Sequence, residues 1–282
     1  MAALAADYDA LIVDLWGVVH DGVATYPGAR DCLARLRDEG KRVIILSNAP
    51  RRAARVVAVL ARLGVEEGLY DRVVTSGEAT RAALARRADP WYAALGRAYL
   101  FIGTEGDGGL LDGLDYHAAA DAESADFVLN TGPAYDMRGI EDYDGVLRRA
   151  RARGLPMVCA NPDLAVIRGG RREPCAGELA ARYAALGGEV RHQGKPYPLI
   201  YEMCFEALGD VDRGRVLAVG DSLETDIAGA RAAGIDALLV TGGLLADAWG
   251  AERAAPPDER RLAAACAAAG VTPTAAVAAF VW

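Results

Sequence analysis

The feature that most constrains this chain is where its apolar runs stop. Residues 10–13 stop at Asp14, residues 42–46 at Ser47-Asn48, residues 127–129 at Asn130 and residues 216–219 at Gly220-Asp221. Between the first of these runs lie two amphipathic stretches, 30–40 and 51–63, ended by Gly40 and Gly64. Short β-rich runs separated by helices of about 10–15 residues imply βαβ units and a parallel sheet. Strands that are apolar on both faces suit a sheet covered on both sides. Further strands are predicted at 72–75, 98–102, 156–160 and 237–240, and helices at 140–152, 198–208 and 225–233. The tail, 254–282, reads as Ala-rich helix broken at Pro256-Pro257, and the Gly-rich stretch 103–109 as a loop.

In an open parallel sheet, ligands gather at the carboxyl ends of the strands. Asp14, Ser47-Asn48 and Asp221 stand there, with Glu224 and Asp226 close behind Asp221. Lys195, in Gly194-Lys195-Pro196, is one of only two lysines among 31 basic residues, the other being Lys41. Arginine has replaced lysine almost everywhere, so a retained lysine points to a place that needs a compact ammonium. Three carboxylates with a backbone carbonyl suit Mg²⁺, which takes hard oxygen ligands. Lysine and serine donors beside such an ion suit a phosphoryl group. A net charge of -8 argues against nucleic acid as the partner, since a phosphate backbone calls for a basic surface. No apolar run is long enough to predict a membrane span, and the N-terminal residues lack the basic start of a signal peptide. Five cysteines without a C-x-x-C pair read as reduced thiols, and predict a cytoplasmic protein.

These residues resemble the motifs of the haloacid dehalogenase (HAD) superfamily, and within it class IIA, which includes nitrophenyl, pyridoxal and nucleotide phosphatases. The run from Asp14 through Leu-Trp-Gly-Val-Val-His-Asp-Gly, with Tyr26-Pro27-Gly28-Ala29 after it, is similar to the first motif. Leu46-Ser47-Asn48 resembles the second motif, Gly194-Lys195-Pro196 the third, and the stretch from Gly220-Asp221 to Asp226-Ile227 the fourth. Asn161-Pro162-Asp163 and Cys175-Ala176-Gly177 also look like class signatures. The resemblance implies an α/β fold: a Rossmann-like, doubly wound parallel-sheet core at 1–81 and 188–282, with an inserted α/β cap of the C2 type at 82–187. It implies a Mg²⁺-dependent phosphatase of a small phosphorylated metabolite. Asp14 would be the nucleophile and form an aspartyl-phosphate. Ser47, Asn48 and Lys195 would hold the phosphoryl group. Asp14, Asp221, Asp226 and the carbonyl of Trp16 would ligate Mg²⁺. A homodimer joined through the cap is compatible with the same resemblance.

One position departs from the pattern. The family's phosphatases carry a second Asp two residues after the nucleophile, which protonates the leaving group and then activates water. Here that residue is Trp16, whose indole is only a donor. A carbonyl ligand survives any side chain, so the departure touches the acid–base step and leaves the metal site alone. His20, six residues past Asp14, is the nearest candidate for a replacement acid, with Asp21 beside it. Two alternatives follow: a low-turnover protein that binds a phosphorylated metabolite, and a metal-independent hydrolase like the dehalogenases, which also lack this Asp.

Overall fold

A computed structural model of the chain describes residues 1–134, 139–256 and 258–282. In chain order the strands are β1 (Ala10–Asp14), β2 (Arg42–Ser47), β3 (Arg72–Thr75), β4 (Ala98–Ile102), β5 (His117–Ala118), β6 (Phe127–Asn130) and β7 (Met157–Cys159). They continue as β8 (Ala165–Arg168), β9 (Arg171–Pro174), β10 (Val190–His192), β11 (Val216–Gly220), β12 (Asp236–Val240) and β13 (Ala275–Val277).

Two parallel sheets result. The first has the order β13-β12-β11-β1-β2-β3, with every pairing parallel. The chain runs outward from β1 through β2 to β3, then returns to the other side of β1 and runs outward again through β11, β12 and β13. This is a doubly wound, Rossmann-like sheet, and the order reverses at β1, where a crevice opens above the strand ends. The second sheet, β10-β7-β6-β4-β5, is also parallel and is built from the chain between β3 and β11. A hairpin, β8–β9, projects between β7 and β10 in the sequence.

The alternation of side chains along each strand explains why both sheets are covered on both faces. On one face of the first sheet, Leu11, Val13, Val43 and Ile45 pack with Leu33 and Leu36 of the helix Ala29–Asp38. On the other, Ile12, Ile44 and Leu46 meet Ile200, Tyr201 and Cys204 of the helix Pro198–Leu208. The second sheet repeats the plan, with Val128 and Met157 on Leu179 and Tyr183, and Phe127 and Leu129 on Leu84 and Leu110. Each such aliphatic or aromatic side chain, fully buried, contributes about 1.5–3 kcal/mol, which holds the strand ends in fixed register.

The structure differs from the sequence-based expectation at several elements, among them the Gly-rich stretch 103–109, expected as a loop, where a 3-10 helix runs Glu105–Leu111. The tail is a shorter helix, Glu259–Ala269, capped by Asp258, whose carboxylate accepts from the Arg260 and Arg261 amides. Its last part is β13, which pairs with β12 and overrides the helical preference of its alanines. The break was placed at Pro256-Pro257, and Pro257 lies outside the described residues. The hairpin β8–β9 stands where no element was expected. The helix expected at 225–233 opens as a wide turn, Leu223–Ile227, before regular helix at Ala228–Ala233. At the end of the second sheet, β10 hydrogen-bonds to β7. Among the described residues no helix is long and apolar enough to cross a membrane.

Candidate active site

Asp14 ends β1, and Asp221 follows β11, the strand beside it. Asp226 reaches the same point from the wide turn, where the Ser222 amide donates to its Oδ2 at 3.2 Å. One carboxylate oxygen from each of Asp14, Asp221 and Asp226 lies within 4.8 Å of the others, and all three residues are buried. Lys195 Nζ sits between two of them, 2.6 Å from Asp14 Oδ1 and 2.7 Å from Asp226 Oδ1. Glu224 is exposed, its Oε2 accepting from Ser222 Oγ at 3.4 Å.

Close packing of glycines makes the cluster possible. A Cβ on Gly17 would stand 1.8 Å from Asp221 Oδ2, and one on Gly243 1.9 Å from the same atom. Gly17 also has φ +74°, which favours glycine for conformational reasons as well. The Leu244 amide donates to Asp221 Oδ2 at 2.9 Å. Arg253 fastens the two glycine segments together, donating to the carbonyls of Gly17 and Gly242.

The electrostatics are those of a site short of positive charge. Burial pushes the Asp14 carboxyl well above the usual carboxylate range; Lys195 opposes this, and Asp226 and Asp221 add to it. Asp221 is pushed up to about 7, by burial first and then by Asp226. Burial alone would lower the Lys195 ammonium, but Asp14, Asp226 and Asp163 outweigh it and hold it well above its ordinary value. Three carboxylates facing one ammonium leave unbalanced negative charge, which a divalent cation would neutralise. The donor set is entirely oxygen, with the backbone turn of Trp16-Gly17 alongside, and this fits Mg²⁺.

Ser47 and Asn48 end β2, and Ser47 Oγ accepts from the Ala49 amide at 3.2 Å. The Asn48 side chain is spent on neighbours. Its Oδ1 accepts from the Lys195 amide at 2.7 Å, while Nδ2 donates to Asp163 Oδ1 at 2.8 Å and to the Lys195 carbonyl at 3.3 Å. Asn48 therefore anchors the loop that carries Lys195.

Two cavities meet at Trp16. The larger, about 330 Å³, is lined by Asp14, Lys195, Asp221 and Asp226; the smaller, about 120 Å³, by Ser47, Asn48, Arg51 and Arg168. Trp16, Asp163 and Val166 face both. The structure thus lines the larger cavity with Asp14, Lys195, Asp221 and Asp226 and the smaller with Ser47, Asn48 and His20, Asn48 being hydrogen-bonded to Lys195. Trp16 is gripped there: Arg168 lies over its ring at 4.8 Å, His20 meets it edge-on at 5.0 Å, and a Cβ on Gly22 would come within 2.3 Å of it. His20 is buried, its Nδ1 accepts from the Gly22 amide at 2.9 Å, and burial pushes its pKa down to about 4. Asp21 Oδ1 accepts from the Val23 and Ala24 amides, and its carboxyl lies below the usual range because those bonds outweigh its partial burial.

Residue-by-residue reading of the sequence missed Arg253 and Arg168 and gave Asp163 no role in the site. Asp163 lay within a recognised signature. Gly169-Gly170 between two runs was a hairpin signal that would have presented Arg168. Arg253 follows a short helix in irregular chain, and nothing local marks it.

Comparison with known proteins agrees with this geometry. Residues 11–117 match a family described as haloacid dehalogenase-like hydrolase, and residues 192–264 match a second, HAD-hydrolase-like family. A D-glycerol 3-phosphate phosphatase of Mycobacterium tuberculosis is 32% identical over 259 residues, spanning 91% of this chain and 69% of the relative. The crystal structure of a haloacid dehalogenase-like hydrolase from Brucella suis superposes with a TM-score of 0.85 at 37% identity, covering 100% of this chain and 98% of the other. A glycerol phosphate phosphatase from M. tuberculosis, crystallised in complex with magnesium, gives a TM-score of 0.65 at 30% identity over 85% of this chain and 69% of the other.

Proposed function

The chain belongs to the haloacid dehalogenase-like hydrolases, and from this we infer that it is a magnesium-dependent phosphatase of a small phosphorylated metabolite, working through a phosphoryl group carried on Asp14. The observation that supports this best is the buried Asp14–Lys195–Asp226 array with Asp221 beside it at the ends of β1 and β11. Asp14, Asp221, Asp226 and the carbonyl of Trp16 would hold the Mg²⁺, which supplies charge neutralisation at the phosphoryl oxygens. Lys195 keeps Asp14 ionised and aims its free oxygen at phosphorus. Asp14 attacks, and the bond to the leaving oxygen breaks. Ser47 donates to a phosphoryl oxygen from the other side, and Asn48 keeps Lys195 in place. The second sheet, with the hairpin β8–β9, forms a cap whose chain returns to the core after β10. It roofs the strand ends, shields the reaction from water and limits substrates to small ones. Five buried, unpaired cysteines suit a reducing compartment such as the cytosol.

A metal-independent, dehalogenase-like hydrolase has no use for three clustered carboxylates, so the metal-dependent reading is preferred. The test is phosphate release from p-nitrophenyl phosphate. Release is expected with Mg²⁺, is abolished by EDTA, and is restored by added Mg²⁺. Asp14→Asn should lower turnover by about 10⁴-fold or more, as loss of a nucleophile does. Undiminished turnover in chelator would refute the reading.

A further inference from the structure

We propose that this enzyme selects phosphoryl donors whose leaving group departs as a stable anion without a proton, namely acyl, enol and aryl phosphates rather than alkyl esters, and that Trp16 imposes the choice. The inference rests on the phosphatase reading and specifies its substrate class.

A phosphoryl group that reaches both Asp14 and Ser47 lies beside Trp16, which with Asp163 and Val166 lines both cavities. An indole offers one N–H that hydrogen-bonds but does not transfer its proton. Arg168 over the ring, His20 at its edge and the Gly22 backbone hold the half-buried indole in this place. The polar groups around it already have partners. His20 accepts the Gly22 amide at Nδ1, so its ring is neutral and carries its hydrogen on Nε2, a donor without acid strength. Asp21 accepts two backbone amides through Oδ1. Asp163 Oδ1 accepts from Asn48 Nδ2, while burial raises its carboxyl, so it is the carboxyl to test as a rival acid. Lys195 is clasped by Asp14 and Asp226.

The chemistry then balances without a general acid. Asp14 Oδ forms a bond to phosphorus, the P–O bond to the leaving group breaks, and the departing oxygen keeps the electron pair as carboxylate, enolate or phenolate. In the second step a water oxygen attacks phosphorus and the P–O bond to Asp14 breaks, its pair returning to the carboxylate. Phosphate leaves as the dihydrogen form, carrying both water protons. An alkoxide is too basic to leave in this way. With no carboxylate at position 16 to activate the water, the second step is also slow.

The test compares kcat/KM for acetyl phosphate, p-nitrophenyl phosphate, phenyl phosphate and glycerol 3-phosphate at one Mg²⁺ concentration. Rates should fall steadily with leaving-group basicity, glycerol 3-phosphate trailing p-nitrophenyl phosphate by at least about 10²–10⁴-fold, the usual worth of general acid help. Nitrophenolate should appear in a burst before the steady state. Trp16→Asp should narrow the ratio and shrink the burst, while Trp16→Asn, which opens the same room without a carboxyl, should leave the ratio as it is. Glycerol 3-phosphate cleaved within about tenfold of p-nitrophenyl phosphate, far inside that range, would overturn the proposal. So would selective loss of alkyl ester cleavage in Asp163→Asn, or in Asp247→Asn, a further carboxylate lining the larger cavity, which would reveal another acid. The native series needs no variant to fold. Phosphate release from none of the four compounds would instead refute the phosphatase reading itself.

Discussion

The two cavities that meet at Trp16 share a wall and little else. On the aspartate side, Asp14, Asp221 and Asp226 outnumber the ammonium of Lys195. On the serine side, Arg51 and Arg168 stand beside the neutral Ser47 and Asn48. One side attracts a cation and the other an anion, within a single cleft. On the proposed reading, both charges of a metal-bound phosphoryl group would meet fixed side chains, with little reorganisation when the substrate arrives. The difference also shows which groups tolerate change. The aspartate side is buried, so each of its charges depends on the others. The arginines of the serine side are half-buried and already paired with Asp107 and Glu173.

The largest break in this contrast should come from Lys195. Lys195→Ala leaves Asp14 and Asp226 facing each other with no ammonium, which favours protonation of Asp14, the proposed nucleophile. Turnover should fall by about 10²–10³-fold, the cost of losing one preorganised charge donor. Lys195→Arg should not restore it, because a planar fork does not fit a slot 2.6–2.7 Å from two carboxylates, one on β1 and one on the wide turn. Wild-type turnover in the arginine variant would show that the aspartate side needs only a positive charge, of any shape.

A smaller effect should come from the packing behind Asp221. Gly17→Ala places a methyl 1.8 Å from Asp221 Oδ2 at a backbone angle that alanine avoids, so the carboxylate must shift. The Mg²⁺ concentration for half-maximal activity should rise by about 10–100-fold, as when a ligand loses its support. Activity at saturating Mg²⁺ should change much less. An unchanged Mg²⁺ titration would mean that Asp221 is not held by this contact.

The contrast between the cavities was only half legible beforehand. Asp14, Ser47 and Asp221 could be found because each terminates an uninterrupted apolar strand, and βαβ winding gathers such ends on one edge. Lys195 was conspicuous as a rare lysine. The partition by Trp16 was not visible, since it depends on Arg168 from a hairpin more than a hundred residues further along the chain. Arg253 was equally hidden, because its role is to tie two glycine turns together and no periodicity records that. In the fold, β1, β2 and β11 were legible from local pattern. By contrast, β13 has an alanine-rich sequence, and only its pairing with β12 makes it a strand.

The smallest effect, on the serine side, bears on how far its positive charge is already compensated. Arg51 Nε lies 3.1 Å from Asp107 Oδ1, an oxygen contributed by the second sheet's chain, and Thr104 Oγ1 donates to the other carboxylate oxygen at 2.9 Å. Burial raises the Asp107 carboxyl above its ordinary value, with Arg51 only partly offsetting it. A carboxyl raised in the folded state binds its proton more tightly there than in the unfolded chain, so ionising it costs stability as pH rises toward neutral. Asp107→Asn removes that cost along with the attraction to Arg51, so the change in stability at neutral pH should stay within about 1 kcal/mol, as for a weak pair. The sign of the pH dependence is the sharper test: on going from neutral pH to about pH 5, just above the usual carboxylate range, the wild-type Tm should gain relative to that of Asp107→Asn. In the variant Arg51 faces the serine-side cavity without its carboxylate, so inorganic phosphate should inhibit a few-fold more strongly, about the worth of one partly exposed ion pair. Weaker inhibition would mean that Asp107 serves to aim Arg51 at the cavity, and that the positive side of the cleft is set by geometry more than by net charge.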